Sequence, residues 1–93
     1  MTIILDLERT IKALANCKRL AIIKYLKKQG SSSVYDIAEA IDMKQQATSK
    51  HLRILEREGL LTRRKRGLLV FYRVTIPHQK EIRSIINVLY SFA

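Results

Sequence analysis

Apolar residues recur at helical spacing almost from the start of the chain. Ile3, Ile4, Leu7, Ile11 and Leu14 predict a helix over 3–15, with Asp6 and Glu8 in an early turn where the helix dipole favours anions. Asn16 has the side chain of an N-cap for a second helix, which runs to about Lys28 through Leu20, Ile23 and Leu26 and stops at Gly30. Ser31, Ser32 and Ser33 offer capping hydroxyls for a short third helix, roughly 33–41, carrying Val34, Ile37, Ala38 and Ile41. After a brief break at Asp42 and Met43, a fourth helix covers 44–58 and ends at Gly59. Leu60 to Arg64 and Leu68 to Thr75 are short runs around Gly67 that suit a two-stranded hairpin. Pro77 stands at a natural first helical position, and Ile82, Ile85, Ile86, Leu89 and Phe92 stripe a last helix over 78–92. The order is α-α-α-α-β-β-α in one domain, 1–93. It is a mainly α fold with a small β part: a short helix, a tight turn, a longer helix and a hairpin, which is a winged helix-turn-helix.

The polar positions of the fourth helix change the picture from fold to function. Gln46, Lys50, Arg53 and Arg57 follow at steps of four, three and four and share one side, whereas Ala47, His51, Ile54 and Leu55 fall on the other. Arg63, Arg64, Lys65 and Arg66 then place four consecutive cations at the expected tip of the hairpin. The chain carries a formal net charge of +10, and it is unevenly spread. Residues 44–73 hold nine lysines or arginines against two acids, so most of the excess sits on the fourth helix and the hairpin. A cationic surface of this kind suits a polyanion, because neutralised phosphates release their counterions. Charge alone fits RNA or an anionic membrane as well as DNA.

Gln45, Gln46, Thr48 and Ser49 lie near the start of the fourth helix, where a recognition helix reaches base edges. Thr48 falls closer to the apolar side of the helical wheel. Lys44, Lys50 and Arg53 are placed to clamp phosphates. For the wing, Arg63, Arg64, Lys65 and Arg66 admit two readings, arginine in a narrow minor groove or looser phosphate contact. Arg73 lies in the returning strand, where alternation can turn it away. The expected partner is double-stranded DNA. An RNA- or protein-binding winged helix and a non-specific architectural DNA coater are the alternatives.

Composition excludes several other classes. The apolar fraction of 47% belongs to a folded domain. No apolar run approaches the roughly 18 residues of a membrane span, and the N-terminus lacks signal-peptide order, so a soluble cytoplasmic protein with no membrane partner is expected. A single cysteine, Cys17, rules out an internal disulfide framework. No Gly-rich phosphate loop and no Ser/His/Asp grouping points to catalysis, and no cofactor is implied.

Lys12-Ala13-Leu14-Ala15-Asn16-Cys17-Lys18-Arg19-Leu20-Ala21-Ile22-Ile23 resembles the "KALADPTRLRIL" opening of the ArsR/SmtB family of transcriptional repressors. Asp36-Ile37-Ala38, Ser49-Lys50-His51-Leu52-Arg53-Ile54-Leu55 and Glu58-Gly59-Leu60-Leu61 are similar to that family's "DLA…SxHLxxLxxAGLV". The run Val70-Phe71-Tyr72-Arg73-Val74 is similar to its wing, and the likeness covers nearly the whole chain. The resemblance implies a homodimeric repressor on a partly palindromic operator, joined through its first and last helices. Apolar surface supports that pairing independently. Ile3, Ile4, Leu7 and Ile11, with Ile82, Ile85, Ile86, Leu89 and Phe92, exceed what a chain of this size easily covers. Closure of both stripes into one monomeric core is the alternative. His51 matches the family's histidine; phosphate contact and a packed, hydrogen-bonded ring are both open to it.

The resemblance does not extend to metal sensing. Where many relatives carry a Cys-Val-Cys, this chain reads Ser33-Val34-Tyr35-Asp36, and a serine and a tyrosine do not replace two thiolates. The last helix offers one early histidine, His78, with Glu81 three residues on, so only a site pooled across a dimer is left to it. No metal is expected. Cys17 is the one redox candidate, at the first turn of the second helix beside Lys18 and Arg19, and a buried small hydrophobe is its other role. The effector, if there is one, is not legible.

Overall fold

The computed structural model describes residues 2–75 and 79–91. Its elements run α1 (Thr2–Leu14), α2 (Cys17–Gln29), β1 (Ser32–Ser33), α3 (Val34–Ala40), α4 (Gln45–Arg57), β2 (Leu61–Arg66), β3 (Leu69–Val74) and α5 (Lys80–Tyr90). The helices fall where the apolar spacing puts them. The addition is β1, a two-residue strand that pairs antiparallel with β3, Ser32 opposite Tyr72 and Ser33 opposite Phe71. The sheet is thus three-stranded in the order β1-β3-β2, not a lone hairpin.

Local signals set the helix ends. The Asn16 side chain accepts from the amides of Lys18 (3.0 Å) and Arg19 (3.1 Å), closing the open start of α2. Gly30, at φ 84°, ends that helix with its amide on the Leu26 carbonyl. The Ser33 hydroxyl caps α3 by accepting from the Asp36 amide. One expectation needs correction. Because α1 starts at Thr2, no acid lies in its first turn. Asp6 instead accepts from the Gln79 side chain at 2.6 Å, which ties α1 to the start of α5. Pro77, His78 and Phe92 lie outside the described residues.

One apolar cluster holds these elements together. Ile22, Ile23 and Leu26 of α2, Ile37 of α3, Leu52 and Leu55 of α4 and Leu60 beside β2 are all fully buried. Tyr72 closes the sheet side, and Ile82 and Ile86 of α5 close the far end. Those two isoleucines correct the reading of the terminal stripes. Ile82 and Ile86 face this chain's own core at 4% exposure each, and Ile3, Leu7, Ile85 and Leu89 are half-buried. Among the described residues, Ile4 (60%), Leu5 (52%) and Ile11 (52%) on α1 and Val88 (58%) on α5 are the large apolar side chains that these two helices leave in water.

Candidate nucleic-acid interface

The buried face of α4 decides what its other face can do. Thr48, Leu52 and Leu55 are fully buried, so the inward stripe is 48–52–55, with Ala47, His51 and Ile54 half-buried at its border. Thr48 therefore leaves the base-reading set. Its hydroxyl donates to the Lys44 carbonyl at 2.9 Å, which satisfies the one polar atom it brings into the core. Lys44, Gln45, Gln46, Lys50, Arg53 and Arg57 stand exposed, and Ser49 is half-buried beside them. The helix thus presents two amides, a hydroxyl and a row of cations outward from a rigid, buried base.

The hairpin differs from expectation in where it turns. Strand β2 runs to Arg66, and the pairing of Arg66 with Leu69 leaves Gly67-Leu68 as a two-residue turn. Gly67 takes φ 60°, whereas Leu68 is not at positive φ. That combination fits a type II′ turn, which needs glycine first. Arg63, Arg64, Lys65 and Arg66 therefore lie along an edge strand rather than at the tip, and the tip residue Leu68 is 98% exposed. Directly opposed residues share a face of a sheet. Arg73 (opposite Thr62) and Arg64 (opposite Phe71) thus stand on the same side as Arg66, so alternation groups Arg73 with Arg64 and Arg66 and sets it apart from Arg63 and Lys65. The Arg66 guanidinium lies 5.6 Å from the Phe71 ring centre. On the other side, next to the buried Tyr72, Arg63 pairs with Glu56 of α4 at 3.7 Å.

Ion pairing separates the cations further. Arg57 (3.3 Å) and Arg9 of α1 (3.0 Å) both contact Glu58, whose side chain is only 11% exposed. Lys44, Lys50, Arg53, Arg64, Lys65, Arg66 and Arg73 have no carboxylate within pairing distance among the described residues. Seven cations without an acid partner among the described residues thus stand on α4, its N-cap and the hairpin.

His51 is half-buried, with its Nδ1 at 3.2 Å from the Arg19 guanidinium. Arginine only donates, so Nδ1 accepts and the neutral ring carries its proton on Nε2. Burial lowers the imidazole pKa below its ordinary 6.5, and the charges of Arg19 and Lys18 lower it further. Periodicity and spacing could not reveal this contact, since Arg19 lies 32 residues away. Its effect on stability has a definite sign. Below 6.5 the unfolded chain takes up a proton that the folded ring resists, so folding stability is full above that pH and declines on acidification. Urea midpoints at about pH 7.5 and about pH 5.5 test this, and His51→Gln is expected to flatten the difference.

Cys17 is exposed, so the buried-hydrophobe reading of that residue is wrong. Among the described residues no three of His, Cys, Asp and Glu are grouped as metal ligands, and no helix is long and apolar enough to cross a membrane.

Known proteins are similar to this chain in sequence and fold. The profile of the family described as "Bacterial regulatory protein, arsR family" matches residues 16–63, from the cap of α2 into β2. A cadmium resistance transcriptional regulatory protein CadC homolog of Staphylococcus aureus is 33% identical over 78 residues, 84% of this chain and 64% of that protein. An arsenical resistance operon repressor of Escherichia coli is 42% identical over 67 residues, 72% of this chain and 56% of that one. The chain thus spans about three fifths of the length of these two relatives. The transcriptional activator HlyU of Vibrio cholerae is 34% identical over 80 residues, 86% of this chain and 73% of that protein. In structure, the chain is similar to a homodimeric winged helix-turn-helix DNA-binding domain from Mycobacterium bovis, with TM-score 0.78 and 30% identity over 95% of this chain and 78% of that one. The buried face of α4, its cationic outer face and the β2–β3 wing, together with these matches, establish that the chain belongs to the arsR family of bacterial regulatory proteins, which are winged helix-turn-helix transcriptional regulators and not enzymes.

Proposed function

We propose that the chain is a homodimeric, sequence-specific regulator of transcription, a repressor, that lays α4 of each copy in the major groove of a palindromic operator. Gln45, Gln46 and Ser49 read base edges there. Lys44, Lys50 and Arg53 hold phosphates, and the β2–β3 wing lies along the neighbouring backbone with Arg64, Lys65, Arg66 and Arg73. Arg63 contributes less, being paired with Glu56. His51 offers its Nε2–H to the same backbone. The observation that carries the reading is the exposed polar and cationic face of α4, with Lys50 and Arg53 free of acid partners among the described residues, set opposite the buried 48–52–55 stripe. No metal is assigned as a signal.

Two substitutions separate reading from clamping. Gln46→Ala is expected to cost about 1–3 kcal/mol at particular base pairs. Arg64→Ala is expected to weaken all sequences alike and to lower the salt slope by about 1. Affinities measured over a panel of single-base operator variants at several salt concentrations distinguish them. Equal, sequence-blind losses from both overturn the assignment, and loss of any preference over competitor DNA favours an architectural coater.

The dimer rests on the outer face of α1. Ile4 and Ile11, seven residues apart, stand on one side of that helix and are both more than half exposed. Ile11→Glu is expected to leave the circular dichroism unchanged, to shift the sedimenting species to a monomer and to weaken operator binding by more than about tenfold. A protein that sediments unchanged with that substitution places the contact elsewhere.

A further inference from the structure

A cleft of about 370 Å³ opens where the end of α2, the last residues of β3 and the middle of α5 meet. Its size is that of a small-molecule site, and no residue of α4 lines it. The floor is apolar: Leu26 and Ile86 are buried there, beside the half-buried Val74 at the end of β3. Lys27, Arg73 and Arg83 surround it, and no carboxylate side chain belongs to its lining. An apolar floor beside Arg73, a cation with no acid within pairing distance among the described residues, selects for one kind of molecule. A neutral apolar ligand gains nothing from that cation, and a small hydrophilic anion gains nothing from the floor.

We propose that this cleft binds a small organic carboxylate with an apolar body, the body resting on Leu26, Val74 and Ile86 and the carboxylate accepting from Arg73. Arg73 is exposed and has no acid within pairing distance among the described residues. It also shares a sheet face with Arg64 and Arg66, so the cleft and the wing have a cation in common. An occupied cleft neutralises that cation and bridges β3 to α2 and α5. The ligand thereby weakens DNA binding, a second step that rests on the function proposed above. Binding itself does not depend on it.

The full chain, free of DNA, is titrated with 3-phenylpropanoate and octanoate and with the matching alcohols, following amide chemical shifts by NMR. Shifts are expected to concentrate around Lys27, Gly30, Val74 and Asn87. Each acid is expected to bind about tenfold more tightly than its alcohol, the worth of one charge-assisted hydrogen bond, and Arg73→Gln is expected to remove most of that preference. Equal binding of acid and alcohol, shifts centred elsewhere, or no shift with either acid at millimolar concentration overturns the site. Acid binding that leaves DNA affinity unchanged overturns the coupling. A chain that binds acid but no DNA keeps the site and overturns the proposed function alone.

Discussion

Leu52→Ala is expected to cost about 3 kcal/mol of folding stability, within the roughly 2–5 kcal/mol range for truncating a buried leucine. Leu52 is fully buried in α4, packed in the cluster that includes Leu55, Ile37 and the α2 isoleucines. Alanine keeps the helix, since its propensity is at least as good. It leaves a cavity beneath the face that carries Gln46, Lys50 and Arg53. The loss is a large share of the whole net stability of a domain of this size. Thermal unfolding should move down by roughly 10–20 °C, and urea titration gives the free energy directly. A loss below about 1 kcal/mol would mean that α4 is not seated on the core as described.

The second large effect is on binding, with stability held constant. Lys50→Ala combined with Arg53→Ala removes two exposed, unpaired cations from the outer face of α4. For every phosphate that the protein ceases to neutralise, the slope of log affinity against log salt should become shallower by about 0.9. The double variant is therefore expected to be shallower by about 2, and to bind on the order of 100-fold more weakly at about 50 mM salt, with a smaller deficit at higher salt. The urea midpoint should stay within error of the parent, because neither residue packs in the core. An unchanged salt slope would show that these side chains do not meet phosphates, and the docking of α4 would have to be redrawn.

How much of the fold is legible in the chain depends on how local each signal is. The Asn16 cap and the Gly30 stop are set by residues within one helical turn, and both appear where the sequence places them. Strand β1 is not legible. Two serines become a strand only because Tyr72 and Phe71, some forty residues later, bring a paired backbone beside them. The wing is legible but its tip is not, because a run of four cations looks like loop while the cross-strand register carries it through Arg66. Periodicity locates α1 and α5 without saying what covers them. The terminal stripes contain both Ile82, which meets its own core, and Ile11, which meets water. In the candidate site, the outward row of α4 follows from spacing alone. The inward position of Thr48 does not, because its polarity is cancelled by a carbonyl four residues back.

The position of β2 at the outer edge of the sheet has one more consequence. An edge strand offers unpaired backbone groups to any other strand, and proteins commonly block that route with charge. Here the edge carries Arg63, Arg64, Lys65 and Arg66 in succession. Two copies approaching edge to edge would bring like charges together all along the seam. Concentrated salt screens that repulsion, so colloidal stability should fall as ionic strength rises, and a short anionic oligomer should restore it by occupying the same row. The side chains assigned to hold a nucleic acid also keep unoccupied copies from adding to one another strand by strand.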